Sequence, residues 1–431
     1  MKFVSDLSLT AHRRYPRGLA APGLVLDFRS GRHLANGEAI PLSQVLGFSR
    51  PGNATYADAT GTIQTAATDE ARTQHHVWRD GAWRRRLLIE PQRTNSLLNS
   101  SNFPAWTVQA ASVNADAAVA PDGTLAADRL VENTATAEHR VLQNVPVTTG
   151  QRFSFSVYAR SATRGISIMS WNSAWSARVF VDLQTGEITG TTNGAGALAA
   201  YGVEHAGNGW HRIWVSAVAQ SDGNATNVIR LTDNGEFIYA GDGVSHAEIW
   251  GAQFEIGPTP SSYIPTTDAQ VTRAADVVQI DAGRWPFAAG GFSVAMSGEA
   301  TYSDNDLPAE LRIYSGRLSG TSFTNLDIQT LGADTGRVVA LQRVGGAPGV
   351  SFTGPDAMTP GVNVPFSVAA RHSSDDVQLA SFGVSFPPAS IGLPDLSTAP
   401  FHIAPIGIVA VERLRIWAAP LEDQQLQDAS R

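Results

Sequence analysis

The chain has 431 residues, enough for two or three domains, and its hydrophobic content of 43% is sufficient for packed cores. Charged residues make up only 16%, the formal net charge is -8, and cysteine is absent. This composition argues against a nucleic-acid-binding surface, which needs clustered basic residues, and it excludes disulfides and thiolate metal sites.

No stretch of the sequence predicts insertion into a membrane. Residues 1–18 lack the apolar segment of a signal peptide, and nowhere are there about 18 consecutive apolar residues. We therefore expect synthesis in the cytoplasm without a signal peptide. If the protein acts outside the cell, release by lysis as part of a particle is one route.

Residues 1–94 mix short strand candidates with polar segments. Residues 54–65 predict a β-hairpin, because the turn has Asp at its first position and Gly at its fourth, as type I turns do. We interpret residues 70–86 as an irregular connector. Its adjacent histidines, His75 and His76, are expected to be solvated rather than metal-bound, since adjacent side chains diverge. The whole region predicts a small attachment or oligomerisation segment.

Residues 95–268 predict a β-sandwich made of short strands separated by Gly, Asn and Asp turns. The clearest strand spans residues 152–160, where apolar and polar side chains alternate. The apolar side comprises Phe153, Phe155, Val157 and Ala159, and the polar side comprises Arg152, Ser154, Ser156, Tyr158 and Arg160. This alternation indicates a half-buried strand with a polar outer face.

A linker rich in Pro, Ser and Thr at residues 257–268 predicts a domain boundary, after which a second set of strands follows. Residues 420–427 predict a short terminal helix with acidic residues in its first turn. The predicted fold class is all-β, with two antiparallel β-sandwiches after a small irregular N-terminal β segment. The predicted domains are 1–94, 95–268 and 269–431.

Three groups of motifs resemble the fibre and spike proteins of tailed bacteriophages and phage-like gene transfer agents. They are residues 54–72 with 88–95, residues 207–210 with 249–255, and residues 262–267 with 271–276. Such proteins carry a jelly roll like that of carbohydrate-binding modules, and the resemblance covers roughly residues 50–280. The final strand candidate, with the residues after it, is similar to concanavalin-A-like (laminin-G-like) sandwiches.

The resemblance implies a subunit of a virion or of a gene transfer agent, acting as a head spike or tail fibre on the particle surface. Its implied partners are a host surface glycan (capsular polysaccharide or lipopolysaccharide), other particle proteins through the N-terminal segment, and further copies of the chain. Two alternatives stay open. One is a structural decoration protein that binds other particle proteins, and the other is a polysaccharide-depolymerising spike.

A carbohydrate-binding face combines aromatic planes, which stack on sugar C–H groups, with amide, carboxylate or guanidinium partners for the hydroxyls. The candidates are Trp171, Asn172 and Trp175 in a predicted loop, Trp214 on a polar strand face, and Arg140, Tyr158 and Arg160 on or near polar faces. The alternative for each is an ordinary surface or core position. Trp210 and Trp250 belong to the motifs above and are expected in the core.

By resemblance, a jelly roll of this kind often holds a structural calcium ion, which needs several oxygen ligands. Asp128 and Glu255 are the candidate donors, and the alternative is that both are simply solvated. Catalysis is not predicted. A glycan hydrolase needs two positioned carboxylates, whereas Glu248 and Glu255 are seven residues apart on one strand and are expected on opposite faces. We therefore expect a binding protein and not an enzyme.

Overall fold

The computed structural model describes residues 20–161, 163–304, 310–352 and 358–431, which form two antiparallel β-sandwiches. The predicted all-β fold class is confirmed. The N-terminal residues that were interpreted as lacking a signal peptide lie outside the described residues. No helix in the described part of the chain is long and apolar enough to cross a membrane.

The elements follow one another as short strands with very little helix. The N-terminal ones are β1 (Leu24–Asp27), β2 (Arg32–Ala35), β3 (Glu38–Ala39), a 3-10 helix (Leu42–Gln44), β4 (Leu46–Ser49), β5 (Ala54–Ala57), β6 (Ile63–Ala66), β7 (Arg72–Arg79), β8 (Ala82–Ile89) and β9 (Arg93–Asn95). The middle ones are a 3-10 helix (Phe103–Ala105), β10 (Thr107–Gln109), β11 (Ala111–Val119), β12 (Leu125–Glu132), β13 (Thr136–Ala137), β14 (Arg140–Val147), β15 (Arg152–Arg160), β16 (Gly165–Asn172), β17 (Trp175–Val181), β18 (Ile188–Gly194), β19 (Leu198–His205), β20 (His211–Val218), β21 (Gly223–Thr232), β22 (Tyr239–Ala240) and β23 (His246–Ile256). The last ones are β24 (Val271–Arg273), β25 (Val277–Ile280), β26 (Gly291–Tyr302), β27 (Glu310–Arg317), β28 (Phe323–Gln329), a 3-10 helix (Gly332–Asp334), β29 (Val338–Val344), β30 (Ala347–Phe352), β31 (Gly361–Ser373), β32 (Asp376–Ser381), β33 (Val384–Ser385), β34 (Ala389–Ser390), β35 (Phe401–Ile406), β36 (Ile408–Trp417) and α1 (Asp423–Ala429).

The first sandwich consists of two six-stranded sheets. Sheet A has the order β11-β12-β23-β15-β20-β19, and sheet B has the order β10-β14-β21-β16-β17-β18. Their inner faces enclose one apolar core. The predicted apolar side of β15 is confirmed, because Phe153, Phe155, Val157 and Ala159 are all fully buried in that core. The prediction that this strand is half-buried is wrong, because other elements also cover Ser154, Ser156 and Tyr158 on its outer side.

The second sandwich draws strands from both ends of the chain. Sheet C has the order β3-β2-β1-β36-β26-β31-β32-β33, with β34 on β32 and the β7–β8 hairpin on β36. Sheet D has the order β30-β29-β28-β27-β35-β25-β4. The strand pairing therefore puts no boundary at residue 94: most strands of the predicted N-terminal segment complete the second sandwich, because their apolar residues pack into its core.

Two N-terminal hairpins lie between the sandwiches, and only one of them was predicted. The β5–β6 hairpin at residues 54–66 confirms the prediction. The interpretation of residues 70–86 as an irregular connector is wrong, because β7 and β8 form a long antiparallel hairpin. Its turn is Asp80-Gly81, and both residues have positive φ, the geometry of a tight hairpin turn. The predicted terminal helix is present as α1, with a capping box between Glu422 and Gln425.

Two of the three motif groups that carry the spike-protein resemblance meet at one buried point, which we name the ionic cluster: Arg50, Arg72, Glu90, Arg273 and Asp276. Arg50 Nη1 lies 3.0 Å from Asp276 Oδ1, and Arg72 pairs with both Asp276 and Glu90. The linker is bonded to this cluster, because Ser262 donates to Glu90 through N (2.7 Å) and Oγ (2.6 Å). The linker is thus packed in place, and this motif set forms a structural framework.

A β-bulge at Gly251 changes which side chains of β23 face outward. Ser156 pairs with Gln253 but Tyr158 pairs with Trp250, so one residue of β15 faces two residues of β23. Gly251 adopts the required φ of +64°. The prediction that Glu248 and Glu255 point to opposite faces is therefore wrong, because the extra residue restores both to the outer face of sheet A.

Candidate functional site

The outer face of sheet A forms the floor of a deep cleft. Cross-strand registers give one polar row, in which Glu204 lies opposite Arg212 and Arg212 lies opposite Tyr158. The next row contains Gly202, Trp214 and Ser156. These positions alternate with the apolar residues of β15 and β20 that fill the core, so their side chains point to the outer face of sheet A and make the floor.

The β5–β6 and β7–β8 hairpins, the linker and one end of the second sandwich make the walls of the cleft. The cavity measures about 850 Å³, which is within the range of about 300–1,000 Å³ typical of small-molecule sites. Because sheet A, the N-terminal hairpins, the linker and the end of sheet C all contribute to its lining, the cleft exists only in the assembled chain.

Trp214 is held on the cleft floor by the absence of a side chain at residue 202. A Cβ at Gly202 would lie 2.8 Å from Trp214 Cζ2, too close for any carbon contact. The indole therefore lies against the backbone of the edge strand β19. Trp214 is only 4% exposed. It lines the cleft, but as part of the floor.

Two charged groups on the floor have unused hydrogen-bonding capacity. Glu204 Oε1 and Arg212 Nε are both buried, and neither has a hydrogen-bond partner among the described residues. Burial raises the pKa of Glu204, and the nearby Arg212 opposes that shift. Arg212 donates through Nη2 to Ser156 Oγ at 3.2 Å. A polar ligand in the cleft would satisfy groups whose burial is otherwise costly.

The exposed aromatic surface of the cleft comes from residues that the sequence reasoning missed. Trp78 and Trp83 face each other across the β7–β8 hairpin, with ring centroids 5.3 Å apart, and Trp78 also packs on His205 at 4.3 Å. Trp78 is 40% exposed and Tyr201 is 44% exposed. The Asp-Gly turn between the two tryptophans was the sequence signal for this hairpin.

The other sheet A candidates serve structural contacts. Tyr158 lines the cleft but is buried against Trp250 and Tyr263, and burial raises its pKa. Arg160 bonds Glu248 at 2.6 Å and covers the ring of Trp210 at 4.8 Å. The expectation that Trp210 and Trp250 are core residues is confirmed.

The remaining four candidates lie on sheet B, away from the cleft. The predicted loop at residues 171–175 is wrong, because β16 runs through Trp171 to Asn172 and Trp175 begins β17 in a tight hairpin. Trp175 is buried in the core. Asn172 closes the turn, accepting from Ala174 N at 2.8 Å and donating to Ser221 Oγ at 2.9 Å. Trp171 and Arg140 share a shallower pocket on the outer face of sheet B.

Asp128 and Glu255 do not fit one calcium site. Asp128 lies opposite Ile249 on the inner side of sheet A, whereas Glu255 lies on the outer side, on the order of 15–20 Å further along the strand. Asp128 accepts from Phe103 N (2.8 Å) and Asp116 N (3.0 Å), and Glu255 accepts from Ser261. Both carboxylates are thus occupied by donors. Within the described ranges, no three acidic or histidine side chains cluster as metal ligands.

The arrangement in the cleft suits recognition of a polyhydroxylated ligand. Exposed aromatic rings offer stacking surfaces, and Glu204 and Arg212 offer an acceptor and donors for hydroxyl groups. Glu248 and Glu255 share a face but lie about 20 Å apart, since their partners on β15 are six residues apart. That separation exceeds the roughly 5–9.5 Å of a glycosidase carboxylate pair.

Comparisons with known proteins give distant structural likenesses. No protein-family model matches the chain, and no curated protein matches it. The CBM40 module of the Ruminococcus gnavus IT-sialidase, solved with α2,6-sialyllactose, aligns over 33% of this chain and 85% of its own, with 15% identity and a TM-score of 0.27. Domains LG4-5 of the mouse laminin α1 chain align over 70% of this chain and 93% of their own, with 12% identity and a TM-score of 0.23. Likenesses this distant carry no information about the function of this chain.

Proposed function

We propose that the chain is a carbohydrate-binding protein whose ligand occupies the cleft between sheet A and the N-terminal hairpins. The observation that carries the proposal is the combination within one cavity of exposed Trp78 and Tyr201 with the unsatisfied Glu204 and Arg212. The two aromatic rings can stack on a sugar ring, and the two charged groups can bind its hydroxyl groups. An apolar ligand would leave Glu204 Oε1 and Arg212 Nε buried without hydrogen-bond partners, which is costly.

We further propose that the chain is a head-spike or tail-fibre subunit of a phage or gene transfer agent, which binds host surface polysaccharide for adsorption. The three motif groups support this role, because they resemble such proteins, and two of them fold here around the ionic cluster. In this proposal the protein sits on the particle surface, associates with other particle proteins and with copies of itself, and has no catalytic role. Antibody labelling of intact particles with imaging would contradict it if the chain were absent from the particle.

We expect Trp78→Ala to weaken binding of the full chain to host capsular polysaccharide or lipopolysaccharide by about tenfold or more, as loss of a central aromatic contact does. Glu204→Gln should weaken binding by about ten- to hundredfold, because hydrogen bonds to a charged group are lost. Isothermal titration calorimetry against purified host polysaccharide measures both.

Two further variants make this test specific. Phe382→Ala removes an aromatic side chain that is 54% exposed in the second sandwich, and it should leave affinity unchanged. Gly202→Ala should weaken binding while the protein stays folded, because the new methyl group displaces the Trp214 indole at an edge strand. If all four variants bound the polysaccharide as tightly as the wild type, the cleft would not be the binding site. Shortening of the polysaccharide chains would instead identify a depolymerase.

A further inference from the structure

A second pocket, on the outer face of sheet B, gathers positive charge in a chain whose net charge is negative. We name it the arginine pocket and define it by Arg140, Arg178, Arg230, Glu138 and Trp171. Arg140 lies directly opposite Arg230 in the β14–β21 register. The pocket measures about 540 Å³. Because sheets A and B bury their inner faces against each other, this pocket and the cleft open on opposite sides of the first sandwich.

The charges in the arginine pocket do not balance. Glu138 Oε2 lies 2.5 Å from Arg140 Nη1 and 3.0 Å from Arg230 Nη1, so one carboxylate serves two guanidinium groups. Arg178 has no carboxylate within 4 Å in the described part of the chain; it contacts the Met169 sulfur at 2.9 Å and covers the Phe237 ring at 4.6 Å. Three cations thus share one anion.

Three nitrogen donors of the pocket also lack hydrogen-bond acceptors among the described residues. The Arg230 side chain is 1% exposed, yet its Nε has no hydrogen-bond partner among the described residues, and its Nη1 contact with Glu138 lacks hydrogen-bond geometry. Trp171 Nε1 is likewise buried and unpartnered. Burial and the neighbouring Arg178 lower the pKa of Arg230 to about 10, as expected where cations are not fully neutralised. Unpaired donors of this kind are expensive unless an acceptor arrives.

We propose that the arginine pocket binds the carboxylate of an acidic sugar unit. A guanidinium fork matches a carboxylate in two parallel hydrogen bonds, and both arginine and tryptophan donors here lack acceptors. The cavity is far larger than a single small ion requires, and Trp171 provides an aromatic face beside the cations for the rest of the sugar ring. The site is separate from the cleft and does not depend on what the cleft binds.

Titration of the full chain with a glucuronic acid oligosaccharide, its neutral glucose counterpart, and inorganic phosphate tests this inference. The wild type should bind the acidic oligosaccharide at least tenfold more tightly than the neutral one, and the preference should shrink as salt screens the charges. Arg178→Gln and Arg140→Gln should each reduce the preference about tenfold or more. Glu138→Gln should strengthen acidic binding several-fold, because it removes the anion that competes for two guanidinium groups.

Matched variants separate this site from general effects of charge and of exposed aromatic residues. Arg431→Gln makes the same charge change at a C-terminal arginine that is 64% exposed and should leave the preference intact. Phe382→Ala removes an exposed aromatic side chain of the second sandwich and should also leave the preference intact. Equal affinity for acidic and neutral oligosaccharides would overturn the inference. So would a Glu138→Gln variant that binds the acid no better, or phosphate binding as tight as that of the oligosaccharide.

Discussion

Asp276→Ala should lower the free energy of unfolding by about 3–5 kcal/mol, the usual cost of removing one partner from a buried ion pair. Asp276 is the acceptor for Arg50, for Arg72 and for the backbone N–H of Glu90, which lies 2.9 Å from Oδ2. The side chains of Asp276, Arg50 and Arg72 are fully buried. Without Asp276, three buried guanidinium groups in the ionic cluster would face the single carboxylate of Glu90.

Urea denaturation followed by tryptophan fluorescence measures this effect. Asp334→Ala is the control, because it removes an exposed partner of Arg337 at 2.9 Å and should cost less than about 1 kcal/mol. Asp276→Asn keeps the side-chain size and should cost nearly as much as Asp276→Ala if charge compensation is the main contribution. A loss of stability no larger than that of the control would mean that water or other groups take over from Asp276.

Gly251→Val should destabilise the chain by about 2–4 kcal/mol, combining backbone strain with overpacking. The φ of +64° is unfavourable for a β-branched residue, and a Cβ there would lie 3.0 Å from Tyr158 Cδ2. Tyr158 is itself buried beside Trp250 and Tyr263, so it has little room to move. The damage should extend to the cleft floor and weaken polysaccharide binding.

Gly209→Val isolates the two contributions to that effect. Gly209 also has a positive φ, of +76°, but a Cβ added there would meet no atom within 4 Å. Its replacement should therefore cost only the backbone strain, about 1–2 kcal/mol. Urea denaturation gives the loss in free energy of unfolding for each variant. We assign the difference between the two losses to the contact with Tyr158. Equal losses would show that the bulge tolerates a side chain and that packing around it is loose.

Strand existence could be predicted from the sequence wherever one face of a strand is apolar. The alternation in residues 152–160 predicted β15 with the correct side chains inward. The same approach failed for β7 and β8, because residues 70–86 carry polar and histidine side chains on both faces. It also failed at Gly251, since a bulge shifts the period without any local apolar signal.

The site was harder to predict than the fold because its parts are distant in sequence. Trp78 and Glu204 line one cleft, although more than a hundred residues separate them. Exposure was also misjudged: Trp214 follows the predicted polar face, yet Gly202 lets a neighbouring strand cover it. The tryptophan-rich segment at residues 171–175 divides between core and surface because a hairpin, and not a loop, connects its two ends.

The pairing of β36 has a consequence for the order in which the chain acquires its structure. Sheets A and B use only β10 to β23, so the first sandwich is complete once those residues have left the ribosome. Sheet C cannot be completed before β36 is synthesised, because β36 pairs with β1, β8 and β26 and is translated after all of them. Until then those three strands keep open edges, which are templates for association between nascent chains. Premature termination before residue 408 would therefore leave a folded first sandwich attached to an aggregation-prone remainder.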